Sequence, residues 1–499
     1  MRFKRIISSL LLAGFTLSAS SCGFVIINDV SKDTQSETSQ SDETDDGGTS
    51  QSGYKYTEYK KYDGGESRKK QAEKYLAELP ERDFEGEVFF ITTTDSSYIS
   101  PDDSMGAVSR LALERNAEIE DKLNITLLTT VTTFENMLDE LKKAVAADLY
   151  YTDLLMLPIY TVGTFKMSDT LINLRSLPFF DLDKPYFNSD SSDMTSGGYS
   201  TYGVAGDASL SPESFSAVYV NKTLLSMLGK EPSELYSEVR DGKWTWDEYL
   251  TLTEALGDIN ASSDGRKYYT TTSGSSSERL PDLIFKASGK DFVSTGIRRV
   301  PVVGYTPKTA EKVMNTLEKI YTDPYRIIDA SAGGVNIFAK GESLFLIEYT
   351  SMMHTLADSG AEWGIVPLPK EAEDGEYRTL VSNKESVFAV PVNHTNGEYA
   401  AITLSYLNAA SYGYIYDEYV NYAMLHLLRD NYSVEMLDMI IDTPAFDFAL
   451  AFGNAYPTIA QGTYRLIRDC APYNNLDKYF DERRKTANET MRKYFDLKY

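Results

Sequence analysis

From residue 86 onward the chain alternates short apolar runs with stretches of helical period. Glu87-Val-Phe-Phe-Ile-Thr-Thr-Thr94 is the kind of run that forms a strand covered on both faces. Leu111, Ala112, Arg115, Ile119 and Leu123 then recur at helical spacing within 104–123, and Asn124-Ile-Thr-Leu-Leu-Thr-Thr-Val131 reads as a second strand. Met137, Leu138, Leu141 and Val145 mark one face of a helix over 134–147. Thr152-Asp-Leu-Leu-Met-Leu157 is a third strand, stopped by Pro158. Strand, helix, strand, helix, strand specifies an α/β unit with a parallel sheet and right-handed crossovers. No Gly-x-Gly-x-x-Gly follows the first strand, so a dinucleotide site has no support.

A second alternating unit follows. Phe215–Asn221 is strand-like, and 222–228 is a short helix ended by Gly229. In Gly242-Lys-Trp-Thr-Trp-Asp-Glu-Tyr-Leu250, Thr245 and Glu248 have capping-box spacing at a helix start. Helical stretches are expected at 283–287, 309–321 and 335–340, and strands at 343–349, 362–370 and 386–390. From Glu398 to the end the pattern is mostly helical, and 66–79 is a further helix ahead of the first strand.

The amino-terminal segment is different in kind. Arg2, Lys4 and Arg5 precede about a dozen apolar residues, too few for a comfortable membrane span, which predicts an export signal over 1–21. Ala19, Ser20 and Ser21 before Cys22 resemble a bacterial lipobox, although Leu is usual where Ala19 stands. The resemblance implies cleavage before Cys22 and lipidation of its thiol; an ordinary secretory signal is the alternative. Residues 31–53 hold Ser, Thr, Asp, Glu, Gln, Gly and one Lys, with no aliphatic or aromatic side chain. Such a run predicts a disordered tether over 22–65.

Composition narrows the partners. The net charge of -25 leaves no basic footprint for nucleic acid. Cys22 and Cys470 are the two cysteines, so a lipidated Cys22 leaves Cys470 without a disulfide partner. The three histidines, His354, His394 and His426, are scattered, and Asp102-Asp103 and 42–46 lack EF-hand spacing, so no metal or cofactor is expected. There is no Gly-x-Ser-x-Gly, no His-Glu-x-x-His and no phosphate-binding Gly-rich loop ending in Lys and Ser/Thr, which speaks against an enzyme.

Six segments, in order, resemble the family 1 extracellular solute-binding proteins of ABC importers. They are Glu114–Ile125, Tyr219–Leu225, Gly242–Asp247, Phe338–Phe345, Trp363–Lys370 and Arg429–Leu437, and the resemblance spans roughly 86–455. It implies two discontinuous α/β lobes joined by crossing hinge strands, a periplasmic-binding-protein-like fold of type II character. Carried onto this chain, the first lobe is 86–210 plus 343–408 and the second, helix-rich lobe is 211–342 plus 409–499. Crossings are then expected at 207–216, 341–343 and near 410. The implied partners are a small solute, foremost a mono- or oligosaccharide, and ABC permease subunits. The implied state is a monomer outside the cytoplasm, touching the membrane only through its lipid. A surface-anchored polysaccharide-active enzyme, and the same fold binding a peptide or other polar ligand, are the alternatives.

A sugar cleft needs aromatic faces and amides or carboxylates. Ligand loops of open α/β sheets lie at the carboxyl ends of strands. Asp95 and Tyr98 follow the first strand, Tyr160 the third, and Tyr349 the strand 343–349, while Tyr202 and Asp207 precede the first crossing. Tyr456 lies in the helical region that often closes over ligand in the resembling family. These seven are the candidate ligand-binding residues. Trp244, Trp246 and Trp363 are better placed to anchor core, and the tyrosines of 412–422 to pack helices together.

Overall fold

The computed structural model describes residues 68–97, 99–101, 107–262, 265, 267–329, 333–412 and 415–495. The expected signal, Cys22, the tether, Tyr98, Asp102 and Asp103 lie outside the described residues. All that follows concerns the compact unit Gly48–Tyr499.

Two sheets organise this unit. The first has the order Ser386–Ala389, Leu154–Pro158, Glu87–Thr93, Ile125–Val131. Glu87 pairs with Ile125 and Ile91 with Leu154 in parallel register, while Ser386–Ala389 runs antiparallel against Pro158–Leu155. Helices Ala107–Leu123 and Phe134–Ala146 supply the crossovers, as the sequence alternation requires. Thr133 caps the second of these by accepting the Asn136 N–H, and Met137 and Leu141 are wholly buried beneath it. Helix Gly397–Ser411 packs against Ala107–Leu123 and brings Tyr399 edge-on to Phe89, with ring centres 4.9 Å apart.

The second sheet has the order Ile327–Ile328, Tyr269–Ser273, Ser343–Tyr349, Ser216–Asn221, Trp363–Val366. Its central strand Ser343–Tyr349 runs parallel to Tyr269–Ser273 and antiparallel to Ser216–Asn221. Trp244, Trp246 and Trp363 are all at most 1 % exposed. The indole N–H of Trp244 donates to the Pro367 carbonyl and that of Trp363 to the Leu356 carbonyl, both at 2.9 Å. The anchoring role expected of them is what they have. Glu248, expected to reach back to Thr245, instead accepts from Lys230.

One grouping made from sequence differs from the pairing. The resemblance implies that strand 343–349 belongs to the first lobe, with a crossing at 341–343; its hydrogen bonds run instead to 216–221 and 269–273, and 363–366 joins the same sheet. The chain returns to the first sheet through Val381–Ser386. There Phe215 bridges Val381, the Ser382 N–H donates to the Ser214 carbonyl at 3.0 Å, and Val204 bridges Phe388. The outward and return passages thus lie side by side. The third passage, after Ser411, is gradual: helix Ile415–His426 packs on both Ala107–Leu123 and Asn431–Ile441. Tyr416 and Tyr419 of that helix are buried in packing.

The carboxyl-terminal helices close onto the first sheet's body through two glycines. A Cβ at Gly163 would lie 2.9 Å from the Phe452 Cα, and one at Gly197 would lie 2.0 Å from the Phe495 ring. Only glycine lets helix Phe448–Phe452 and the end of helix Leu476–Phe495 approach this closely. Among the described residues no helix is long and apolar enough to cross a membrane.

Candidate functional site

The site is built on a turn. After strand Tyr269–Ser273 the chain reads Ser273-Gly-Ser-Ser-Ser-Glu-Arg279 and enters helix Leu280–Ala287. Three hydroxyl residues and a glycine give this turn no apolar anchor of its own, so its shape comes from a carboxylate beneath it. Glu348 is fully buried; it accepts from the amides of Gly274 and Ser276, each at 2.9 Å, and from the Ser275 hydroxyl at 3.0 Å. A buried carboxylate needs such donors. Their effect is to fix Arg279 at the carboxyl end of the sheet, beside Tyr349.

A pocket of about 460 Å³ opens there. Ser275, Glu278, Arg279 and Tyr349 form its floor at the ends of the parallel strands. Ser382, Asn383 and Lys384 of the return passage form one wall. Leu450, Asn454, Tyr464, Arg465 and Arg468 of the carboxyl-terminal helices form the other. The volume falls in the range of small-molecule sites, and its place is where open α/β sheets bind ligands.

Its electrostatics are dominated by guanidinium groups. Arg468 grips the fully buried Asp282 with two donors, Nε to Oδ1 at 2.9 Å and Nη2 to Oδ2, and lies 4.8 Å over the Tyr464 ring. Burial works against the Arg468 charge, but the hydrogen bond and charge of Asp282 outweigh it and raise its pKa. Arg279 Nε reaches the same carboxylate only at 3.6 Å. Arg279 Nη1 donates to the Tyr349 hydroxyl at 3.2 Å and the Val381 carbonyl at 3.3 Å. Its Nε and Nη2 are closed off from solvent without a hydrogen-bond partner. Burial raises the Tyr349 phenol, and Arg279 opposes that shift. Tyr349 is therefore a neutral hydroxyl and a flat face at working pH.

The other expected residues are spread over three places. Asp95 is exposed in the turn after the first strand, where Oδ1 accepts from the Ser97 N–H at 2.9 Å. Tyr160 is half-buried: its N–H donates to the Asn383 carbonyl at 3.3 Å, and its ring meets Phe134 edge-on at 5.9 Å. Both border the return passage without lining the pocket. Tyr202 and Tyr456 belong to a separate aromatic cluster. Tyr456 packs on Tyr494 at 4.8 Å, and Lys166 Nζ lies 4.7 Å over Phe495 and 6.0 Å over Tyr202. Asp207 does not line the pocket; it lies in the field of Arg68, Asp417 and Asp442, and burial pushes its carboxyl up to about 8. Of the described candidates, Tyr349 alone lines the pocket. Arg279, Asn383, Asn454 and the Arg465/Arg468 pair went unnoticed. The strand-end rule that found Tyr349 points equally to 274–279, and an Arg pair one helical turn apart is conspicuous in so acidic a chain.

Among the described residues no cluster of three or more His, Cys, Asp or Glu side chains could hold a metal ion. Cys470 is buried, which pushes its thiol up to about 11.

Two sheets, adjacent passages and a pocket at strand ends define a class, and sequence comparison decides it. The profile of bacterial extracellular solute-binding proteins matches residues 116–412, more than half of the chain. The chain belongs to the bacterial extracellular solute-binding protein family. Its place of work is therefore outside the cytoplasm, and its family is one of binding proteins. Among curated proteins none matches the sequence. Solved structures share the two-lobed fold at low identity. The cyclic α-maltosyl-1,6-maltose binding protein of Arthrobacter globiformis is similar with a TM-score of 0.56 at 16% identity, over 81% of this chain and 99% of that one. A cyclo/maltodextrin-binding protein complexed with maltotetraose gives 0.51 at 14%, over 82% and 98%. The galacto-N-biose/lacto-N-biose I-binding protein of a Bifidobacterium longum ABC transporter gives 0.51 at 13%, over 83% and 98%. At these identities the likeness is one of fold.

Proposed function

We propose that this solute-binding protein captures a carbohydrate in the pocket at Tyr349 and Arg279 and hands it to the permease of an ABC importer. The observation that carries the reading is the position of the pocket. It lies at the carboxyl ends of two parallel strands, with the return passage as one wall and helices that touch the first body as the other. Relative movement of two bodies about the paired passages 204–215 and 381–388 would open and shut it. Tyr349 and Tyr464 offer flat faces, and Ser275, Asn383 and Asn454 offer hydrogen bonds to hydroxyls. The ligands that the three similar proteins are named for are all saccharides, which agrees with this choice.

In this proposal the protein binds without turnover, acts as a monomer, and is held on the outer face of the cell membrane by an acylated Cys22 and the tether behind it. The first lobe comprises the sheet of 87–93 and helix 397–411; the second comprises the sheet of 343–349 and the carboxyl-terminal helices. The test is small-angle scattering of the mature protein with and without a saccharide found by thermal-shift screening. Compaction on binding supports closure, and an unchanged profile with bound sugar overturns it. Mass spectrometry of the mature amino terminus checks the anchor: an unmodified Cys22 removes it.

A further inference from the structure

The pocket carries the wrong sign for the molecule. In a chain of net charge -25, four cations line it, Arg279, Lys384, Arg465 and Arg468. Three carboxylates answer them: Glu278 on the floor, and Asp282 and Glu348 buried beneath. Arg468 already occupies both oxygens of Asp282. Arg279, only 9 % exposed, is left 3.6 Å from that carboxylate, with two donors unfilled. Lys384 and Arg465 are exposed and take part in no salt bridge among the described residues.

Four cations against three carboxylates leave a formal excess of one positive charge. Concentrating like charge in a partly closed pocket is unfavourable unless a counter-charge arrives. Bulk solvent screens the exposed Lys384 and Arg465, whereas Arg279 Nε and Nη2 are closed off in this form, so the two bodies must part before a ligand reaches them. A guanidinium with an unfilled edge suits an oxyanion better than a neutral hydroxyl, because its paired donors match the two oxygens of an acidic group.

We propose that the ligand is an acidic carbohydrate, one bearing a carboxylate or an ester sulfate. Arg279 holds the anionic group, Lys384 and Arg465 draw it in, and Tyr349 and Tyr464 face the ring. The inference rests on the carbohydrate reading above and adds the charge class of the sugar. The cationic rim also overcomes the repulsion that an acidic molecule exerts on an anionic ligand, by focusing attraction at one opening.

The experiment is isothermal calorimetry of the whole mature protein with four probes: a uronic-acid disaccharide, a sulfated disaccharide, their neutral parent, and inorganic sulfate. At least one acidic disaccharide is expected to bind 10-fold or more tighter than the neutral parent, with affinity falling as salt rises. The two acidic arms tell carboxylate from sulfate. Arg465→Gln and Lys384→Gln, both at exposed positions, are expected to weaken acidic binding several-fold more than they weaken binding of the neutral parent. Arg279→Lys keeps the charge but loses the fork, and is expected to reduce the preference for the acidic sugar. A neutral parent that binds as tightly as its acidic forms overturns the charge assignment and leaves the carbohydrate reading standing. Inorganic sulfate that binds as tightly as the sulfated sugar also overturns the proposal, since the site would then serve a free anion. If no saccharide of any arm binds, the carbohydrate reading itself falls, and this inference with it.

Discussion

Replacing Asp282 by Asn tests how the pocket wall is held. Asp282 is wholly buried, Arg468 is 28% exposed at its side chain, and Arg279 is 11% exposed. Removing one partner of a buried ion pair costs about 3–5 kcal/mol, because the other charge is left unpaired. Arg468 can swing partly into water, which discounts its share, while Arg279 cannot. The expected loss for Asp282→Asn is therefore about 2–4 kcal/mol. Arg468→Met is milder, at about 1–3 kcal/mol, since Asp282 keeps Arg279 at 3.6 Å. The residues touch, so the double variant should fall short of additivity by about 1–3 kcal/mol. At roughly 2 cal/mol/K of unfolding entropy per residue, a body of this length has on the order of 1 kcal/mol/K, so each kcal/mol moves Tm by about 1 °C. Differential scanning calorimetry at neutral pH without ligand should thus place Asp282→Asn about 2–4 °C below the parent. A Tm within about 0.5 °C of the parent, or an Arg468→Met loss larger than that of Asp282→Asn, would refute the reasoning.

Two further outcomes follow from features away from the pocket floor. Glu385, in the return passage, accepts the Ser211 N–H at 2.7 Å; burial pushes its carboxyl up to about 8 from an ordinary 4.5, with Asp95 and Glu213 adding to the rise. The folded chain thus keeps a proton that the unfolded chain has released between those values, so stability falls as pH rises through that window. Ligand-free Tm measured from pH 5 to pH 8.5 should decline less steeply in Glu385→Gln than in the parent, and parallel slopes would contradict the assignment. Phe495 is 3% exposed against Gly197, Phe448 and Phe452; Phe495→Ala should cost about 3–5 kcal/mol, read as a Tm loss well beyond that of the control Tyr473→Ala at a 73% exposed position.

The sequence showed local structure well and neighbours poorly. The runs 87–94 and 152–157 became strands because each is apolar enough to be covered and short enough to cross a sheet once, while 124–131 forms the edge strand with alternate residues exposed. The same property hid the partner of 343–349: a strand buried on both faces does not reveal which sheet buries it. Tyr349 was legible because it sits at a strand end. Arg279, Arg465 and Arg468 were not, because charge along a sequence reads as solvated surface, and the pairing that holds Arg468 inward spans 186 positions to Asp282. Asp207 was read as a cleft carboxylate; the residues that set its surroundings, Arg68, Asp417 and Asp442, all come from distant parts of the chain. Tyr202 and Tyr456, each expected at the ligand, lie instead in an aromatic cluster around Lys166 and Phe495 and do not line the pocket.

Strand Ser386–Ala389 completes the first sheet against Leu154–Pro158, yet the whole second sheet is written between them. A chain that emerges amino end first therefore presents Leu154–Pro158 with one edge open until most of the molecule has appeared. An open apolar edge is an invitation to mispairing, and long-range pairing of this kind is slow. Any half of this protein cut at a point between the two strands would keep that open edge permanently.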